Sequence, residues 1–374
     1  MAILMILGFA GCIKQTTSSD ATLQISPTAS TTVITTLSIS TPGSAVTITN
    51  TTSQTEIMNP STIAKVIQPE AQIYFGVYSI DLSQFENDAN KNVSIVNFFQ
   101  QWANNTFDAT QMNQIRNEGA IPLVTWEPWK GLKYGIDVPD YSLKNIINGN
   151  FDTYIEQYAE AAKEWGHPFF LRFAQEMNGN WYPWSEGENG NTPGQFVEAW
   201  RHVHDIFTSV GATNVSWVWC PGRVSVIVPI NNLQELYPGD TYVDWVGMDG
   251  YNAGNDKLGW QMFSVVFSSL YDKLTSMTSK PVMIAETSCG EYGGGHKDYW
   301  ITDALTKQIP DNFPRIKALV WFNADNDPTA DWQIESSAAA QSAFANAITL
   351  PIYATNNYQE LQQSPIPIPE TVVK

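Results

Sequence analysis

Short apolar runs alternate with longer amphipathic stretches between residues 71 and 350, and that rhythm limits the folds open to this chain. The runs are IYFGVY (73–78), VSIVNFF (93–99), IPLVTW (121–126), PFFLRF (168–173), VSWVWC (215–220), VDWVGM (243–248), PVMIAE (281–286) and IKALVWF (316–322). Between them, FDTYIEQYAEAAKEWG (151–166), PGQFVEAWRHVHDIFTSVG (193–211) and WQMFSVVFSSLYDKLTSM (260–277) carry apolar residues at three- and four-residue spacing, the mark of helices with one buried face. Several end on Gly, which suits a left-handed C-cap. Strands joined by helical crossovers run parallel. Eight such units in about 280 residues match an α/β chain folded as a (β/α)8 barrel, which commonly needs about 250 residues. A doubly wound open sheet is the alternative, but no glycine fingerprint follows the first run.

The flanks have a different character. Residues 1–15 open with MAILMILGFAGC, an apolar stretch ending in small residues and Cys12, and read as an export leader with a lipidation cysteine. It has no Lys or Arg before the apolar stretch, and Phe9 stands where such leaders usually carry Leu. In the linker at 16–70, Ser or Thr fills 22 of the 40 positions from 16 to 55, with a single charge at Asp20. Such a segment cannot bury enough apolar surface to offset its ordering entropy, so a disordered tether is expected there. Residues 351–374 read as a proline-rich tail. These features place the protein outside the cell, tethered at the surface, with contact to membrane only through a lipid at Cys12.

Charge narrows the partners. Lys and Arg number 19 against 37 Asp and Glu, for a net charge of −18, which repels nucleic acid and anionic lipid headgroups but suits a neutral polymer. A monomer is expected. Cys220 and Cys289, with Cys12, make three cysteines; no disulfide framework follows, and both downstream thiols read as core residues.

Two glutamates carry the chemistry. Glu176, in LRFAQEMNGNWYPW, and Glu286, in PVMIAETSCGEY, each follow or close an apolar run, where a barrel places catalytic groups. Cleaving a glycosidic bond needs one carboxyl group to protonate the leaving oxygen and another to stabilise or attack the anomeric carbon. Side-chain alternation groups Arg172, Ala174 and Glu176 on one face if the strand stays extended that far, and likewise Val282, Ile284 and Glu286, and Gly247, Asp249 and Tyr251. Trp165, Trp200 and Trp217 fall where core packing is expected. Trp126, Trp129, Trp181, Trp184 and Trp321 fall at or beyond strand ends, where a flat ring can stack on the C–H face of a sugar.

The ordered set RFAQEMNGNWYPW, WRHVHDIF, VSWVWCP, VGMDGYN, PVMIAET and ALVWFN resembles glycoside hydrolase family 26, over about residues 71 to 350. The resemblance implies a (β/α)8 barrel and hydrolysis with retention, with Glu176 as acid/base and Glu286 as nucleophile. It also implies that Arg172, Trp181 and Tyr251 shape the sugar site beside the cleaved bond, that Trp321 lies beneath a sugar ring, and that neither cofactor nor metal is needed. Arg172 and Tyr251 would favour the ionised form of Glu286, while apolar walls and the charge of Glu286 would raise the pKa of Glu176.

One departure bears on substrate. Many mannan-cleaving members carry His just before the acid/base, whereas this chain has Gln175, whose amide can bridge a sugar hydroxyl and a carboxylate but cannot become charged. The leading expectation is an endo-acting enzyme on β-1,4-mannan, with β-1,3-1,4-glucan as the alternative and a catalytically silent carbohydrate-binding barrel as the rival class. His202 and His204 sit two apart on a helix and so on different faces, which speaks against zinc. Asp325, Asp327 and Asp331 read as a solvated acidic loop rather than a calcium site.

Overall fold

A computed structural model describes residues 73–369 except 104, 225, 227, 255–257, 293–295 and 325–329. The expected leader and Ser/Thr-rich linker lie outside the described residues. Eight parallel strands close into a barrel in chain order: β1 (Tyr74–Ser79), β2 (Ile95–Gln101), β3 (Ile121–Glu127), β4 (Phe169–Phe173), β5 (Val215–Trp219), β6 (Trp245–Asn252), β7 (Val282–Cys289) and β8 (Ile316–Asn323). The barrel closes where β1 pairs with β8, from Tyr74 opposite Ala318 to Ser79 opposite Asn323. All eight expected runs are strands, and the fold is the (β/α)8 barrel.

Helices α1 (Leu82–Ala89), α2 (Ala109–Asn117), α3 (Leu143–Ile147), α4 (Asp152–Trp165), α5 (Gln195–Val210), α6 (Phe263–Met277), α7 (Lys297–Asp303) and α8 (Ala338–Ile348) wrap the outside. On α5 the spacing of Phe196, Ala199, Trp200, Val203 and Phe207 makes one buried stripe. Gly166 and Gly211 close α4 and α5 with φ of 75° and 81°, left-handed positions that Gly occupies without a Cβ penalty.

Alternation along the strands separates two cores. Outward residues such as Phe75, Val124, Trp126, Leu171, Ile284 and Trp321 pack beneath the helices. Inward residues, including Tyr74, Ile95, Leu123, Phe170, Met283 and Val320, fill the barrel. The segment expected as a tail is part of this packing. Ile366 is buried in the inner cluster, its N–H donates to Ser216 Oγ at 2.7 Å, and its carbonyl accepts from Trp245 Nε1 at 3.0 Å. Residues 351–369 therefore close the barrel at the end opposite the catalytic mouth, since Tyr74 and Trp245, which they contact, begin their strands.

Candidate active site

Arg172 organises the mouth. It is fully buried on β4, facing inward on the same side as Phe170 two residues before it. One guanidinium nitrogen donates to both Asp249 oxygens, at 3.0 and 2.9 Å, and another donates to Glu286 Oε1. Thr125 Oγ1 accepts from Nε at 3.0 Å. Burial opposes charge on the guanidinium, but the carboxylates of Asp249 and Glu286 outweigh it and hold Arg172 protonated. Asp249 and Glu286 thus share one buried cation, and burial pushes the Asp249 carboxyl well above its usual range in spite of it.

Glu286 is held from a second side by Tyr251, whose hydroxyl donates to Oε2. Burial and then the nearby charge of Glu286 push the Tyr251 phenol well up, so it remains a donor. The position of Glu286 differs from the alternation argument. Val282 and Ile284 face the helices while Met283 and Ala285 face the barrel. The β7–β8 register shifts between Ile284 and Thr287, and Glu286 turns inward after Ala285 instead of following Ile284 outward. On β6 the expected face holds: Gly247 lies against Cys220, Asp249 meets Arg172, and Tyr251 meets Glu286.

Glu176 stands beyond the end of β4 on a different kind of backbone. Ala174 and Glu176 both have left-handed backbones, with φ of 48° and 54°. That conformation is uncommon outside Gly and typical of functional sites whose surroundings over-determine them. The surroundings are visible. Glu176 N–H donates to the Cys220 carbonyl at 2.7 Å, and Trp184 Nε1 donates to the Gln175 carbonyl at 2.7 Å. Arg172, Ala174 and Glu176 therefore do not share an extended face: β4 ends at Phe173, and Ala174 packs in the outer core. Trp181, half-buried, donates from Nε1 to Glu176 Oε2 at 2.6 Å. Its ring lies over Gly179, where a Cβ would come within 2.4 Å of it, so only Gly permits the approach.

The pKa of Glu176 is raised to about 7. Burial is the largest cause and the charge of Glu286 the next, with the Trp181 hydrogen bond and Arg172 pulling the other way. The two expected carboxylates thus share one mouth, one paired with a cation and the other poised to carry a proton near neutrality.

A fourth carboxylate, beside Asp249, Glu286 and Glu176, was not anticipated. Glu127 ends β3 and is fully buried. It accepts from Gln175 Nε2 at 2.8 Å, Gln101 Nε2 at 2.8 Å and Trp129 Nε1 at 3.1 Å, while burial raises its pKa. Gln175 is thereby fixed with its amide nitrogen toward Glu127, and its buried Oε1 has no hydrogen-bond partner among the described residues. The signal was present in IPLVTWE, where Ile121, Leu123, Thr125 and Glu127 fall on one face of the strand.

That same alternation corrects two aromatic expectations. Trp126 has no exposed surface and packs between Tyr158, at 4.5 Å, and Trp102, at 4.8 Å, in the helical layer. Trp321 is likewise fully buried, packed on Phe344 of α8 at 5.0 Å, with its Nε1 donating to the Trp332 carbonyl at 3.1 Å. A ring with no open face is no platform for a sugar. Trp129 and Trp184 are also buried, packing edge to face at 5.6 Å. Phe322, the residue after Trp321, faces the other way and stacks on Tyr78 at 4.9 Å, and Tyr251 lies between Phe322, at 5.7 Å, and Trp332, at 5.1 Å. Trp332 lies in the long connection after β8, where no periodicity could place it. Trp200 and Trp217 are core residues, as expected.

The thiols are buried, and burial raises the pKa of Cys289 to about 12 and that of Cys220 well above its usual value, which removes a thiolate nucleophile. Asp325 and Asp327 lie outside the described residues.

Comparison with known proteins agrees with this arrangement, since the profile of glycosyl hydrolase family 26 matches residues 38–351. The chain belongs to glycosyl hydrolase family 26. It is 36% identical over 273 residues to Endoglucanase H of Acetivibrio thermocellus, a match that covers 71% of this chain and 29% of that protein. A mannan endo-1,4-beta-mannosidase of Bacillus subtilis strain 168 is 25% identical over 191 residues, covering 50% of this chain and 45% of the relative. The chain thus spans less than half the length of either relative. Among solved structures, the catalytic domain of the Bacillus sp. JAMB-750 family 26 endo-beta-1,4-mannanase superimposes with a TM-score of 0.60 at 17% identity, covering 77% of this chain and 88% of that one, which speaks to the barrel alone.

Proposed function

We propose that this family 26 enzyme is a retaining endo-β-glycanase whose polymer is a β-glucan. The carrying observation for the chemistry is the pair of unlike carboxylates: Glu286 bound to Arg172 and Tyr251, and Glu176 with its pKa raised to about 7. Glu286 attacks the anomeric carbon while Glu176 delivers its proton to the departing glycosidic oxygen, leaving a glycosyl ester on Glu286. Once that ester forms, burial still favours the proton on Glu176, but the added charge of Glu286 is gone. Glu176, now a carboxylate, takes a proton from water as the water oxygen attacks the anomeric carbon, and Glu286 leaves as carboxylate.

The sugar assignment rests on likeness and on one residue. Identity to the endoglucanase is 36% over 71% of the chain, against 25% over 50% for the mannan-cleaving relative. Gln175, held by Glu127, presents a neutral acceptor where many mannan-cleaving members have His. The second reading, β-1,4-mannan, is favoured by the sequence likeness to the mannan endo-1,4-beta-mannosidase. Export and a lipid at Cys12 belong to the same proposal and rest on the apolar leader.

The test is digestion of separate β-1,3-1,4-glucan, β-1,4-glucan, β-1,4-mannan and β-1,3-xylan, with products sized and their first-formed anomer recorded by NMR. Internal cleavage of a glucan with the β-anomer formed first supports the proposal. Faster cleavage of mannan selects the second reading, an α-anomer removes the glycosyl ester, and cleavage of none leaves only a binding barrel.

A further inference from the structure

The backbone that follows β5 is tied on one side to β6 and on the other to the turn that carries Glu176. β5 ends at Trp219, yet the chain stays alongside β6 past that end: Asp249 N–H donates to the Pro221 carbonyl at 3.2 Å, and Arg223 N–H donates to the Asp249 carbonyl at 2.8 Å. On the opposite edge, Glu176 N–H donates to the Cys220 carbonyl at 2.7 Å and Val226 N–H to the Asn178 carbonyl at 3.1 Å. Residues 220–223 thus join the mount of Glu176 to Asp249, which shares Arg172 with Glu286.

Asn178 makes the middle of that join. Fully buried, it donates from Nδ2 to the Gly222 carbonyl at 2.8 Å and accepts from the Gly222 N–H on Oδ1 at 2.9 Å. These two backbone groups fix the direction of the amide, because reversing it would set donor against donor and acceptor against acceptor. Gly222 in turn faces the acid. A Cβ there would lie 3.2 Å from Glu176 Oε1 and 3.4 Å from its Cδ and Cγ, the nearest atoms it would meet. The Gly222 backbone lies outside the left-handed region, so a side chain at this position would disturb the carboxyl group and not the fold of the chain. The Trp181 N–H is bonded to Oε2, which leaves Oε1, the oxygen against Gly222, as the better place for a proton.

We propose that Asn178 is a positioning residue for the acid: by holding both backbone groups of Gly222 it keeps a wall without a side chain against Glu176 Oε1, which excludes water from that oxygen and fixes where its proton is delivered. The inference rests on the proposed role of Glu176 as proton donor. Asn178 acts through Gly222 and carries no charge. The charged and titratable groups around Glu176 are Glu286 on β7, Arg172 on β4, Asp249 and Tyr251 on β6, and Tyr182 after β4. The tied segment adds Arg223, which donates to the Tyr251 carbonyl, and the Cys220 thiol, which donates to Asp249. Asn178→Ala removes none of them.

The test compares the full chain with Asn178→Ala, Gly222→Ala and Glu176→Ala. Each is assayed across pH for kcat/KM on the polymer that the wild type cleaves and on a dinitrophenyl glycoside of the corresponding oligosaccharide, whose leaving group needs no proton. Asn178→Ala should lose about 10- to 100-fold on polymer but no more than about twofold on the aryl substrate. Its alkaline limb on polymer should move down by about one pH unit, because water admitted beside Oε1 favours the carboxylate. Gly222→Ala keeps the backbone groups that bind Asn178 and crowds the carboxyl group, and should lose about tenfold on polymer with the aryl substrate spared. If Asn178→Ala does not fold, Gly222→Ala decides. Equal losses on the two substrates, or an unmoved limb in Asn178→Ala, would reduce Asn178 to a structural part and overturn the inference, as would wild-type polymer kinetics in either variant. Glu176→Ala keeps two failures apart. If it also loses equally on both substrates, or if the wild type cleaves no polymer, the acid role itself falls and the part of Asn178 falls with it.

Discussion

Glu286 and Glu176 share one mouth but are mounted in opposite ways. Glu286 is part of β7, and a guanidinium and a phenol take one oxygen each. Glu176 stands past the end of β4 on a left-handed backbone, with the Trp181 indole as its side-chain hydrogen-bond donor and burial raising its pKa to about 7. Two side chains of the same type thus sit in unlike surroundings. The rigid strand and the cation suit a group that must be negative and aligned for attack. The desolvated turn suits one that must give up a proton and recover it.

The sharpest way to break this comparison is to remove each acid. Glu286→Ala should lower kcat on every substrate by at least about 10⁴-fold, the scale seen when a covalent nucleophile is deleted; near-native turnover would remove it from the reaction. Glu176→Ala should lower kcat/KM on polymer by about 10²–10⁴-fold but spare an activated aryl glycoside, whose leaving group needs no proton. Equal losses on both substrates would contradict an acid role.

Trp321→Ala tests the division between inner and outer faces. A fully buried ring packed on Phe344 should cost about 3–5 kcal/mol in urea unfolding, with polymer affinity per folded molecule unchanged. Weaker polymer binding with unaltered stability would return Trp321 to the cleft.

The smallest effect concerns protons. A carboxyl group raised to about 7 keeps its proton below that pH and loses it above, so kcat/KM on polymer should fall as pH rises through about 7. The Trp181 N–H favours the charged form of Glu176, and Trp181→Phe should therefore move this alkaline limb to higher pH. A shift to lower pH would show that the limb belongs to another group.

Much of the scaffold could be read from the chain because helix and strand periods are local. The eight apolar runs, the amphipathic α4, α5 and α6, and the glycines that close α4 and α5 are written within a few residues of one another. The glutamates stood out because barrel strands deliver side chains to one end. The aromatics were harder to read. Trp321 and Phe322 are adjacent and chemically alike, but one meets α8 and the other meets Tyr78 and Tyr251. Its place at a strand end and the family resemblance favoured Trp321, whereas the parity of the strand, which runs Ala318, Val320, Phe322 inward, turns Phe322 and not Trp321 away from the helices.

What the residue order determined by itself is the family of solutions: parallel strands, helical crossovers and two acids beside strand ends, all consequences of short-range periodicity and burial. Tertiary structure alone decided which carboxylate meets the guanidinium, because the shift after Ile284 and the left-handed turn around Gln175 each redirect a side chain against its local alternation. It also decided that residues 351–369 close the barrel and that Glu127 grips Gln175. Those contacts join residues far apart in the chain, and their strength comes from the water excluded when the barrel closes, a quantity that no local window of sequence contains.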